Sequence, residues 1–308
     1  MINTKEAAEK WLKIKKKNLS PKTLEEYERY LKNFLLTLNK DLSEIKKEDC
    51  EKYFEEKYEK KEEAKIYAMR VIDQFLDWSW KQHHIKYNPM IYIPIPKSST
   101  DRKEIPVMTK EDIQRILKVA YNSEFLPETN REDQKYMRMM YYTALCLSLF
   151  CILHKGELLA LKWNCITDEY ISIEKNTQFL SKKNVFRNIK KPNGQRKIKL
   201  LPTIKKVINN WKTFQENYKT SHKDFKNTKN LIFVNTKGNA MDDKNMDKRW
   251  WNPLRKYLQI ENIEWKNLRD IGILFWYDEG LSINEIHALS GNSDKRTTKR
   301  ILEAGKRI

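Results

Sequence analysis

Four short stretches carry side chains able to hold an anion. They are His154-Lys155-Gly156-Glu157, the basic run Lys190, Lys191, Arg196 and Lys197 around Pro192-Asn193-Gly194, Lys266-Asn267-Leu268-Arg269, and Leu289-Ser290-Gly291-Asn292. A guanidinium offers a planar fork that matches two phosphate oxygens, an ammonium a compact point charge, and a carboxamide a neutral donor. Two readings of Arg269 stand side by side, a phosphate contact or a pair with Asp270 or Asp278. The cations around the turn read equally as a probe for a nucleic-acid groove or as a solvated face. His154 reads as a packed, hydrogen-bonded histidine rather than a proton carrier, and Trp163, Trp250, Trp251 and Trp276 as core rather than stacking platforms.

Composition narrows what such groups could serve. The chain has 308 residues, with 61 Lys and Arg against 42 Asp and Glu, a formal net charge of +19. A surface that basic attracts polyanions, of which nucleic acid is the commonest. With 40% hydrophobic and 33% charged residues, two domains could each bury a core, and only 7 Gly and 9 Pro point to a helix-rich protein. Cys50, Cys146, Cys151 and Cys165 lack metal-ligand spacing, so free thiols and a reducing, cytoplasmic setting are expected, with no metal and no cofactor. No signal peptide opens the chain, and the longest apolar run, Ala144 to Leu153, is too short for the roughly 20 residues that cross a bilayer, so no membrane partner is expected.

The elements that must position these groups follow from periodicity. Residues 1–87 read as four helices. Ala7, Ala8, Trp11, Leu12 and Ile14 share an apolar face, and Ser20-Pro21 opens the second helix with a cap and a first-turn proline. Four prolines between Tyr87 and Pro106 mark a linker over 88–108. The remaining domain, 109–308, starts on a capping signature, Thr109-Lys110-Glu111-Asp112. Its expected helix over Met137 to Leu161 breaks near His154-Lys155-Gly156. Tyr170 to Ile173 alternates like a strand, and Phe186 to Leu201 predicts a hairpin turning at Pro192-Asn193-Gly194. The chain is helical again from Asn245. The fold class is therefore mostly α with a small β-sheet, α+β.

Six segments in this order resemble the tyrosine recombinase, or phage integrase, family. Leu19 to Tyr27 is similar to the start of its SAM-like core-binding domain, and Asn88-Pro89 through Asp112 to its connector. Gly156-Glu157-Leu158-Leu159-Ala160-Leu161-Lys162-Trp163 resembles the box after the family's first catalytic arginine. Pro253-Leu254 and Lys266 to Arg269 fall where the His-x-x-Arg box belongs, and Leu289 to Asn292 where Leu-Leu-Gly-His belongs. The resemblance implies a helical core-binding domain followed by a catalytic-fold domain.

In that family a tyrosine hydroxyl attacks a DNA phosphodiester while two arginines stabilise the developing charge and a lysine and histidines handle protons. Carried over by position, the first arginine falls on His154, the hairpin lysine on Lys190 or Lys191, the first histidine on Lys266, the second on Asn292, and the nucleophile on Ile301; Arg269 matches. No tyrosine follows Tyr277. The expectation is a protein that is not an enzyme and that binds a double-stranded, operator-like DNA site. Such a protein is similar to integrase-like prophage repressors in lysogeny control, with an accessory factor for an active recombinase, or an active recombinase with a displaced nucleophile, as the alternatives. The expected contacts are Arg269, Lys266, Lys190, Lys191, Arg196, Lys155 and Asn292, with Lys22, Thr23, Lys65 and Arg70 in the first domain. A phage-encoded peptide or protein regulator is a further expected partner. With only Leu302 to Ile308 after Ile301, a monomer or weak dimer is expected.

Overall fold

The computed structural model describes residues 3–96, 105–180, 183–189 and 194–308. The chain divides into two compact units, Met1–Asp101 and Arg102–Ile308, a division inside the expected linker. The first core nevertheless runs past position 87, because Met90 and Ile93 are buried in it, and Met108 already packs into the second.

The first unit holds α1 (Thr4–Lys16), α2 (Pro21–Leu38), α3 (Lys47–Tyr58) and α4 (Glu62–Lys81). Ser20 caps α2 as its sequence predicts, its Oγ accepting from Thr23 N at 3.2 Å. Trp11, Phe34, Phe54, Phe75 and Leu76 form the centre, with Trp11 stacked on Tyr27. Ile14 departs from the expected apolar face and is exposed. Where α2 crosses α4, Tyr27 meets Tyr67 edge-on and Gln74 Nε2 donates to Tyr27 Oη.

The second unit begins with α5 (Lys110–Asn122), α6 (Glu132–Phe150) and α7 (Lys155–Ala160). The predicted capping box at Thr109 forms, with Thr109 Oγ1 accepting from Asp112 N and Asp112 Oδ2 from Thr109 N. Buried residues run all round the second half of α6, making it the central helix. The helix break falls at 151–154, where Ile152 adopts φ 50, a left-handed conformation costly for a β-branched residue.

Four strands follow: β1 (Tyr170–Ile173), β2 (Lys175–Leu180), β3 (Lys183–Asn188) and β4 (Arg196–Lys199). Of the hairpin predicted over 186–201, the Pro192-Asn193 turn lies outside the described residues, and its two expected strands do not pair with each other. Antiparallel β1–β4 and β2–β3 make two separate two-stranded sheets. Pairing of Ile171 with Ile198 buries both in the core and sets the β1–β4 register, a stronger determinant than a local Asn-Gly turn. The remainder comprises α8 (Pro202–Ser221), α9 (Asp243–Met246), a π-helical turn at Asp247–Trp251, α10 (Asn252–Tyr257), α11 (Asn267–Asp278), α12 (Ile283–Ser290) and α13 (Lys295–Ala304). Trp211, Trp250 and Trp251 are buried in the main core, whereas Trp163 is half-buried and donates to Gln215. A satellite cluster of Ile152, Ile273, Leu274, Ile286, Ile301 and Leu302 packs α11, α12 and α13 together. Gly272 permits the close approach of α11 to α6: a Cβ there would lie 2.1 Å from Leu149 O. No helix among the described residues is long and apolar enough to cross a membrane.

Candidate nucleic-acid interface

Two arginines converge on the C-terminal end of α12, where carbonyls lack helical partners and the helix dipole is negative. Arg196, on β4, donates Nε to Leu289 O at 2.8 Å, and Arg269, in the first turn of α11, donates Nη2 to Ser290 O at 3.1 Å. Gly291 terminates α12 at φ 64, and a Cβ there would stand 2.5 Å from Arg196 Nη1. A glycine is needed here for both the backbone conformation and the contact.

Arg196 does not face outward as a DNA contact. Its side chain is 6% exposed and forks onto Glu157, Nη1 to Oε1 and Nη2 to Oε2, both at 3.0 Å. Glu157 Oε2 also accepts from His154 N at 3.0 Å, so one buried carboxylate ties the start of α7 to β4. Burial would leave this carboxylate unpaired without Arg196, which is why the guanidinium turns inward.

Arg269 is 7% exposed, and its Nη2 also donates to Asn292 Oδ1 at 2.5 Å. Asn292, itself buried, passes the network on through Nδ2 to Thr298 Oγ1 at 3.0 Å, so its carboxamide is engaged inside the protein and not presented to a ligand. Nη1 of Arg269 lies 3.6 Å from Asp270 Oδ1, the pair foreseen as its alternative, while Nε is buried with no hydrogen-bond partner. Burial pulls the Arg269 guanidinium below its usual value, with Asp270 and Glu157 opposing the shift. Burial likewise raises the Asp270 carboxyl, against Arg269, Arg300 and Lys266.

The remaining expected residues are dispersed. Lys266 is exposed and held by Glu264 at 2.5 Å, and Lys155 pairs with Asp247 at 2.7 Å. His154 is exposed, not packed in the core as its apolar approach suggested. Ile301 is 4% exposed within the satellite cluster. Lys190 and Lys191 lie outside the described residues. In the first unit Lys22 and Arg70 are exposed and Lys65 half-buried, while Thr23 Oγ1 is 2.8 Å from Ser20 Oγ. Sequence reasoning expects helix here but misses the basic face of α13, whose Lys295, Arg296, Lys299 and Arg300 are exposed opposite buried Thr298, Ile301 and Leu302. The signal was present: cations at 295, 296, 299 and 300 have helical spacing.

The family model described as "Phage integrase family" matches residues 106–304, and that of the "Phage integrase, N-terminal SAM-like domain" matches residues 10–82. The chain belongs to the phage integrase family of tyrosine recombinases. Among solved structures it is similar to the Tn1549 transposon integrase in complex with a circular intermediate DNA, at 13% identity and a TM-score of 0.71, covering 98% of this chain and 95% of that one. It is also similar to a lambda integrase dimer bound to a COC' core site, at 14% identity and a TM-score of 0.64, covering 97% and 77%. At these identities the likeness concerns the fold. No curated protein sequence gave a match. The expectation of a chain that is not an enzyme is overturned here, because the family matched across the second unit is a family of enzymes.

Proposed function

We propose that this chain binds a specific double-stranded DNA site and, by occupying it, represses transcription from a prophage or mobile element. The observation that carries the reading is the guanidinium of Arg269, fixed by Ser290 and Asn292, beside the exposed cations of α13. Two of its donors are fixed by Ser290 and Asn292, which sets the plane of the fork before any ligand arrives. Lys266, Lys299 and Arg300 supply phosphate contacts around it and set the register on the duplex, while Lys22 and Arg70 do so from the first unit. The net charge of +19 supports association with a polyanion.

Selection from a random duplex library is the test. The full-length protein enriches a discrete motif, and that motif placed in a promoter lowers reporter expression when the protein is supplied. Failure to enrich any motif removes the specific-binding reading; enrichment without repression removes the repressor.

Membership of an enzyme family favours a second reading, DNA strand transfer at the bound site. A nicked suicide duplex containing the selected motif would then accumulate a covalent protein–DNA adduct. Position 301 carries no hydroxyl, so peptide mapping of that adduct identifies the nucleophile. Absence of any adduct counts against strand transfer.

A further inference from the structure

The second unit contains an open cavity of 780 Å³ between the loop before α6, the first turns of α6, the turn at 235–237 and the Arg249-Trp250 stretch. Its size falls within the roughly 300–1,000 Å³ of small-ligand sites. The cavity-lining stretch of α6, Asp133 to Tyr141, belongs to its N-terminal half, whereas the arginine cluster adjoins the segment after its C-terminal end. At 1.5 Å per residue the whole helix is roughly 28 Å long.

Two features of the wall bear on what it would take. Of its charged residues, Arg131, Arg138, Lys237 and Arg249 are cations, against Glu128 and Asp133. Arg131 forks onto Asp133, and Arg138 donates to Pro127 O, so both are fixed by the protein. Lys237 and Arg249 are exposed and have no ion pair among the described residues. Asn235 Oδ1 accepts from the backbone N–H groups of Lys237 and Asn239, which holds the turn in place. Leu126 and Met137 provide apolar surface.

We infer that this cavity is a binding site for an amphipathic organic anion, its apolar body against Leu126 and Met137 and its acidic group against Lys237 and Arg249. Carboxylate and sulfonate or phosphate ester groups share the required chemistry. The inference is independent of the DNA reading, since none of the cavity's residues belongs to the arginine cluster.

The probe is 8-anilinonaphthalene-1-sulfonate, an aromatic body with one sulfonate, titrated into the full-length protein by fluorescence. Saturable one-site binding is expected, weakened at least tenfold in the double variant Lys237→Ala/Arg249→Ala. Met137→Trp, which fills the cavity without altering its charge, is expected to weaken it similarly. Competition with a monoalkyl phosphate and with a fatty carboxylate of equal chain length separates the two acid classes. Undiminished probe binding in both variants, with melting temperatures unchanged, overturns the inference. It is equally overturned if the double variant loses duplex-DNA affinity and salt dependence together, since the cations would then be phosphate contacts of the DNA surface. Unaltered duplex binding with lost probe binding supports it, whatever the fate of the repressor reading.

Discussion

Arg196 and Arg269 both donate to the end of α12, yet their remaining donors meet different partners. Arg196 is closed off by Glu157, Gly194 and Leu289, whereas Arg269 retains a buried Nε with none. The two therefore respond differently to substitution. Arg196→Ala leaves Glu157 as a buried, unpaired carboxylate, and breaking such a pair costs about 3–5 kcal/mol. Chemical denaturation of the variant should show this loss of stability, and the double change Glu157→Gln/Arg196→Met should recover much of it. Arg269→Ala removes the donor to Ser290 O and Asn292 Oδ1, at about 1–3 kcal/mol, and on the proposed reading also weakens duplex binding. Equal DNA affinity for Arg269→Ala and the parent, measured where both are folded, would exclude Arg269 as a phosphate contact. The buried thiols give a pH-linked prediction. Burial pushes Cys146 and Cys151 up to about 12, so neither forms thiolate at pH 8 in the folded chain. Both should resist iodoacetamide until the protein unfolds, while half-buried Cys165 reacts first. Because their folded pKa values are raised, the associated stability is present below the ordinary thiol range and is lost as pH climbs toward 12. A stability that rises across that alkaline range would contradict the assignment.

At the scale of elements, what was legible in the sequence was local. Ser20-Pro21 and Thr109 to Asp112 form the caps that their side chains predict, because a cap needs only residues three positions apart. The helical period likewise placed the four helices of the first unit. The misplaced hairpin failed for the opposite reason. Asn-Gly is a local turn preference, but β4 is held by burial of Ile198 against Ile171, a contact set by the core. The pair of Arg196 with Glu157 spans 39 positions and has no local signature, so the sequence alone presents Arg196 as an outward cation. His154 is exposed rather than packed because the chain turns outward after Ile152. The close approach of α11 to α6 supplies a test of how these elements hold the site. Gly272→Ala would place a methyl against Leu149 O, with overpacking typically costing 1–3 kcal/mol, roughly. Thermal melting should fall, and a variant as stable as the parent would mean that the two helices can separate without loss.

For the whole molecule, the family membership and the net charge of +19 are properties that no single residue carries. A protein that neutralises several phosphates releases as many counterions, so its affinity falls linearly with salt on logarithmic axes. Each phosphate contact removed should lower that slope by about one. Lys299→Ala and Arg300→Ala, on the exposed face of α13, are expected to do so without altering the melting temperature; an unchanged slope in both would place α13 off the DNA. Sequence specificity is the part of the account that charge alone cannot supply, since charge attracts every duplex alike. The most direct measurement is a fluorescence-anisotropy titration of the full-length protein with the selected duplex and a scrambled duplex of equal length, repeated across salt concentrations. The selected duplex should bind on the order of a thousandfold or more tightly at physiological salt, with both affinities falling as salt rises. Equal affinity for the two duplexes at every salt concentration would contradict the claim that this chain binds a specific DNA site.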